Sequence, residues 1–82
     1  MTHPDHSARV PLSFLLPGAR ARVESIDDAV DAAQREQLIA YGLAANRPLV
    51  VLQQRPMTIV MVDEVELALE ADIARHVWVR RR

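Results

Sequence analysis

Two imidazoles and a carboxylate fall within four residues at His3, Asp5 and His6. Zinc and ferrous iron both accept such ligands, but a stable site needs three or four of them fixed in space. The stretch around them is polar and shows no periodicity, so residues 1–10 read as a mobile N-terminal tail that would chelate a metal only opportunistically. A second acidic group, Asp27, Asp28, Asp31 and Glu36, imitates an iron cluster. The first three, however, fall where carboxylates complement the positive end of a helix. Ser13 and Ser25 have no histidine or lysine at a spacing that would activate them. Gly18 and Gly42 are the only glycines, and each stands at a structural stop, so the chain has no phosphate-cradling loop with which to bind or hydrolyse GTP. No catalytic residue and no cofactor are expected.

Composition narrows the classes further. With 82 residues, half of them apolar, the chain forms one domain near the lower limit for a self-sufficient core. It has no cysteine, which removes disulfides and thiolate metal sites and suits a reducing cytosol. The formal net charge is −1. Arg9, Arg20, Arg22, Arg35, Arg47, Arg55 and Arg75 are scattered among acids, and only Arg80, Arg81 and Arg82 cluster, as a solvated C-terminal tail (residues 81–82 lie beyond the domain). That pattern argues against nucleic acid as a partner. No apolar run approaches the roughly 20 residues of a membrane span. Val10–Leu16 is interrupted by Pro11 and Ser13 and runs directly into a patterned strand, so it is not read as an export signal.

The elements that position these residues follow from periodicity. Ala19, Ala21 and Val23 alternate with Arg20, Arg22 and Glu24 as a half-buried strand. Ser25 to Asp28 supply N-cap candidates for a helix with Val30, Ala33, Leu38 and Tyr41 near one face, closed by Gly42 in a left-handed conformation with Leu43 folding back on the core. Strands follow at residues 49–54, 57–62 and 65–70. The pair Asp63-Glu64 lacks the glycine that tight hairpins prefer, which points to a bulge or a longer turn. A helical turn at 71–75 precedes a last strand at 76–80, on which alternation with Val77 and Val79 turns His76 outward. Five short strands suit either a curled barrel or a sheet with the helix on one face.

The ordered set Pro11-Leu-Ser, Leu15, Pro17-Gly18, Leu38, Gly42-Leu43, Val51, Val62, Glu66-Leu-Ala-Leu69, Ala74, Val77 and Val79 resembles the FeoA family, the cytosolic accessory proteins of bacterial ferrous iron uptake. The resemblance implies an all-β fold over residues 11–80: a small SH3-like barrel of about five strands with one helical insertion after the first strand. It also implies a non-catalytic, cytoplasmic protein that acts by contact with the FeoB-type ferrous iron permease. The chain departs from the pattern in the short Arg55-Pro56 link, in Glu64 where glycine is common, and in Glu70 where a basic residue is usual. The same barrel forms the C-terminal part of DtxR-type repressors. No DNA-binding or dimerisation segment precedes it here, so a free-standing accessory protein is the expectation.

Partner-binding residues are sought where apolar side chains have no obvious interior to enter. Thr58, Val60 and Val62 can share one face of their strand, which leaves Met57, Ile59 and Met61 on the other. Trp78, lying between Val77 and Val79, is either a surface anchor or a plug at one end of the barrel. These four residues are the candidate contacts for the permease or for a second copy. A metal-responsive module built on His3, Asp5 and His6 and a generic SH3-like interaction module are the alternatives. Three dispersed aromatics argue against a polyproline groove.

Overall fold

The computed structural model describes residues 8–82. Their elements are β1 (Arg9–Pro11), a 3-10 turn (Leu12–Phe14), β2 (Arg20–Ile26), α1 (Ala32–Ala40), β3 (Pro48–Gln53), β4 (Thr58–Val62), β5 (Val65–Leu69), α2 (Ala71–Ala74) and β6 (Val77–Arg81). All strand pairings are antiparallel, in the order β1-β6-β2-β3-β4-β5. The fold is therefore a small all-β domain with little helix.

Its strands number six rather than five. The extra one, β1, starts at Arg9, inside the segment read from sequence as tail, because Val10 pairs with Val79 and packs on the core while Arg9 covers Trp78. Similarly, β6 runs through Arg81, which pairs with Ala21 and was assigned to the C-terminal tail. With β1 counted, α1 follows the second strand.

Alternation assigns the faces as the sequence implied. Ala21 and Val23, Leu49 and Val51, Thr58, Val60 and Val62, and Val77 and Val79 are buried, and Leu12, Leu15, Leu38, Leu43, Leu69 and Ala74 complete the core. Within α1 only Leu38 is buried; Ala33 and Tyr41 face solvent. The helix is held at its end. Gly42 N–H donates to the Ile39 carbonyl and Leu43 N–H to that of Leu38, both at 3.0 Å, the two bonds of a Schellman closure. Leu38 and Leu43 are its buried apolar pair. Gly42 has φ +123°, and a Cβ there would lie 3.2 Å from Val62 Cγ1, so two constraints exclude a side chain.

The helix also begins later than its acids suggested. Asp31 is the N-cap and accepts from the Ala33 and Gln34 N–H groups. Asp27 instead turns the chain ahead of the helix by accepting from Ala29 N–H at 3.0 Å, and Asp28 pairs with Arg35.

The β4–β5 connection has two residues, because Val62 and Val65 pair directly. Asp63 and Glu64 both adopt positive φ, 50° and 69°, as a type I′ turn requires. Neither is glycine, and the right-handed twist of the flanking strands imposes this geometry on them regardless. Arg47 ion-pairs with Asp63 and holds the turn against the start of β3. A glutamate in the left-handed region costs about 1–2 kcal/mol, which glycine avoids. Glu64→Gly is therefore expected to stabilise the domain by about 1 kcal/mol in urea melts; an unchanged or lowered midpoint would show that the turn carries no strain.

Candidate interaction surface

The motif Pro11–Gly18 folds into two tight turns whose side chains diverge. Leu15 N–H closes the 3-10 turn on the Leu12 carbonyl at 3.2 Å, and Ala19 N–H closes Leu16-Pro17-Gly18-Ala19 on the Leu16 carbonyl at 3.0 Å. Proline second and glycine third, the glycine at φ +91°, are the signature of a type II turn. Gly18 N–H then donates to the Val51 carbonyl and Val51 N–H to the Ala19 carbonyl, which fastens the motif to β3. Leu12 and Leu15 point into the core. Phe14 and Leu16 are 67% and 76% exposed.

Beside them stands Leu52, on the outer face of β3. Leu52 is on the outward phase after the buried Val51, and the β3–β4 register then passes from Val51↔Val60 to Gln53↔Ile59, leaving Leu52 as the unpaired extra residue of a bulge. The phase change also brings Gln54 to the buried Thr58. Gln54 Nε2 donates to the carbonyls of Leu12 (3.0 Å) and Leu15 (2.6 Å), while its Oε1 accepts from Thr58 Oγ at 2.6 Å. One amide thus uses both donor hydrogens and its oxygen, and the two carbonyl bonds fix which end is nitrogen. Phe14, Leu16, Pro17, Leu52, Gln53 and Arg55 line an open groove of about 510 Å³ over this clasp.

The residues singled out from sequence occupy other ground. Ile59 and Met61 share the outer face of β4, half-buried beside cross-strand neighbours: Met61 lies between Val50 and Glu66, and Ile59 between Gln53 and Ala68. Met57, expected on the same strand, precedes it and is half-buried. Trp78 is half-buried, with the Arg9 guanidinium 4.7 Å from its ring centroid. Phe14, Leu16 and Leu52 are the more exposed apolar side chains. The clue to the first two was the proline-bracketed run itself, whose length exceeds what two inward positions can bury. Leu52 follows the inward Leu49 and Val51 on the outward phase of β3, so strand alternation is the sequence signal for it.

His76 Nδ1 lies 3.7 Å from Asp27 Oδ2, just ahead of β6. The Ala29 N–H holds the Asp27 carboxyl below its ordinary value against the opposing effect of burial, with smaller help from the Trp78 ring N–H and His76. Among the described residues no three His, Cys, Asp or Glu side chains converge as metal ligands. His3, Asp5 and His6 lie outside the described residues. Among those described, no helix is long and apolar enough to cross a membrane.

The FeoA domain family matches residues 10–81. The chain belongs to the FeoA family. A crystal structure of an iron uptake regulatory protein (FeoA) superposes with TM-score 0.77 at 31% identity, covering 92% of this chain and 99% of that one. The FeoA protein from Chlorobium tepidum superposes with TM-score 0.80 at 29% identity, over 88% of this chain and 70% of the other. T. acidophilum IdeR shares the fold with TM-score 0.81 at 23% identity, and this chain spans 37% of its length. No curated protein matches the sequence. FeoA membership associates this chain with ferrous iron transport and places it among small accessory domains.

The Gln54 clasp makes a stability prediction. Gln54→Ala leaves the Thr58 hydroxyl and two backbone carbonyls short of partners, at a cost of about 1–3 kcal/mol for a part-buried polar set. Urea denaturation checks this. A midpoint within error of the parent would mean that water replaces the amide without loss.

Proposed function

We propose that this FeoA-family chain is a non-catalytic, cytoplasmic accessory protein of ferrous iron uptake that acts by direct contact with the cytosolic part of a FeoB-type permease. The observation that carries the reading is the exposed apolar surface of Phe14, Leu16 and Leu52, held by a fully bonded glutamine. A domain this small gains nothing in stability from leaving those side chains in water, whereas a partner that covers them recovers about 25 cal/mol per Å² of apolar area. Each anchor is large, and the turns beneath are rigid, so little conformational entropy is lost on binding. The reading takes the six strands as the curled SH3-like barrel of the family, with Leu12 near the start of the chain and Leu69 at the end of β5 sharing one core.

The test is co-purification of the chain with the cytosolic domain of the permease, together with ferrous uptake in cells carrying each variant. Phe14→Ser and Leu16→Ser alter solvent-facing atoms and are expected to change folding stability by no more than about 0.5 kcal/mol. The pair is expected to abolish co-purification and reduce uptake. Full uptake and full co-purification by the folded double variant would overturn the proposal.

A further inference from the structure

The arginines that look scattered in sequence are gathered by the sheet register. Arg9 on β1, Arg80 on β6 and Arg22 on β2 stand opposite one another, Arg9↔Arg80 and Arg22↔Arg80, on strands about 4.8 Å apart. One step along the strands, Arg82 follows Arg80 and its N–H donates to the Arg20 carbonyl, so Arg20 and Arg82 form a second row. Alternation puts all five on the outer face, since Val10, Ala21, Val23 and Val79 between them point inward.

Charge compensation is uneven among the arginines of the described residues, and Arg55 and Arg81 have no acidic partner there. Arg35, Arg47 and Arg75 pair with Asp28, Asp63 and Asp72 away from this face. On it, Arg80 pairs with Glu24 at 2.7 Å, while Arg9, Arg20, Arg22 and Arg82 have no acidic partner among the described residues. The second row continues from Arg20 to Val50 and Met61. There Arg20 and Arg82 flank a groove of about 250 Å³ with Val50 and Met61 in its walls.

We propose that this face is a docking site for an acidic protein segment whose carboxylates alternate with apolar side chains. Guanidinium groups match carboxylates bidentately, and the groove offers space of side-chain size beside two of them. The apolar atoms are half-buried walls and do not protrude, which suits a peptide side chain laid into the groove and not insertion into a lipid bilayer. Trp78 lies under Arg9, so it offers no free ring on which a nucleic-acid base could stack. The site is separate from the Phe14–Leu16 surface and does not depend on which protein carries the segment.

Trp78, the single tryptophan, reports from within the face. Its fluorescence can be followed while the full chain is titrated with a short, end-capped peptide of repeating Glu-Leu-Glu-Ser, with the Gln-for-Glu peptide alongside. Saturable binding of the acidic peptide is expected, weakening as salt shortens the screening length. Arg20→Gln combined with Arg22→Gln is expected to reduce affinity at least about tenfold, roughly 1.4 kcal/mol. Arg35→Gln, off the face, should leave it unchanged, and circular dichroism confirms folding of each variant. The proposal is overturned by absence of binding, by equal weakening from Arg35→Gln, by equal affinity for the Gln-for-Glu peptide, or by tighter binding of phosphatidylglycerol vesicles or duplex DNA than of the acidic peptide.

Discussion

The side-chain amide of Gln54 reaches back about 40 positions along the chain to hold the carbonyls of Leu12 and Leu15, and accepts the hydroxyl of Thr58 with its remaining oxygen. Those carbonyls belong to a turn with few backbone bonds of its own, and Thr58 is the buried polar residue of the inward face. The amide therefore solves two desolvation problems together. It also joins the first turn of the chain to β3 and β4. The two bonds to their carbonyls add to the apolarity that keeps Leu12 and Leu15 in the core, and Phe14 and Leu16, set between and after them, face outward.

Register has equal weight elsewhere on the molecule. A strand changes faces at every residue, so pairing alone decides which side chains become neighbours. Pairing of β1 and β2 on either side of β6 turns arginines distant in sequence into one row, and the bulge after Val51 brings Gln54 to Thr58. Two surfaces of different chemistry result: an apolar one built on turns and a basic one built on the sheet. The near-neutral formal charge conceals the second, because Glu24 is the one acid that pairs with an arginine of this face among the described residues.

Much of the fold was legible because its determinants are local. Alternation in β2, β4 and β6 predicted the buried residues of those strands, and Gly42 with Leu43 predicted the helix stop down to its left-handed residue. What sequence missed was set by pairing. Asp31, not Asp27 or Asp28, caps α1, since the chain must first turn away from β6; Asp63 and Glu64 accept positive φ because the strands meet in register. β1 has three residues, too few for a periodic signal, and exists only because β6 offers an edge. Ile59 and Met61 were rightly placed on one outer face, but Phe14 and Leu16 proved more exposed, since nothing local distinguishes an apolar residue bound for the core from one held out of it.

The proposed contact with the permease depends on the Gln54 clasp, which holds the turn that carries Phe14 and Leu16. The most direct measurement is the affinity of the Gln54→Leu variant for the cytosolic domain of the permease, taken at a temperature where circular dichroism shows the variant folded. Because Phe14, Leu16 and Leu52 are all retained, the account predicts a loss of affinity of about tenfold or more, caused by presentation alone. Undiminished binding by the folded variant would contradict it.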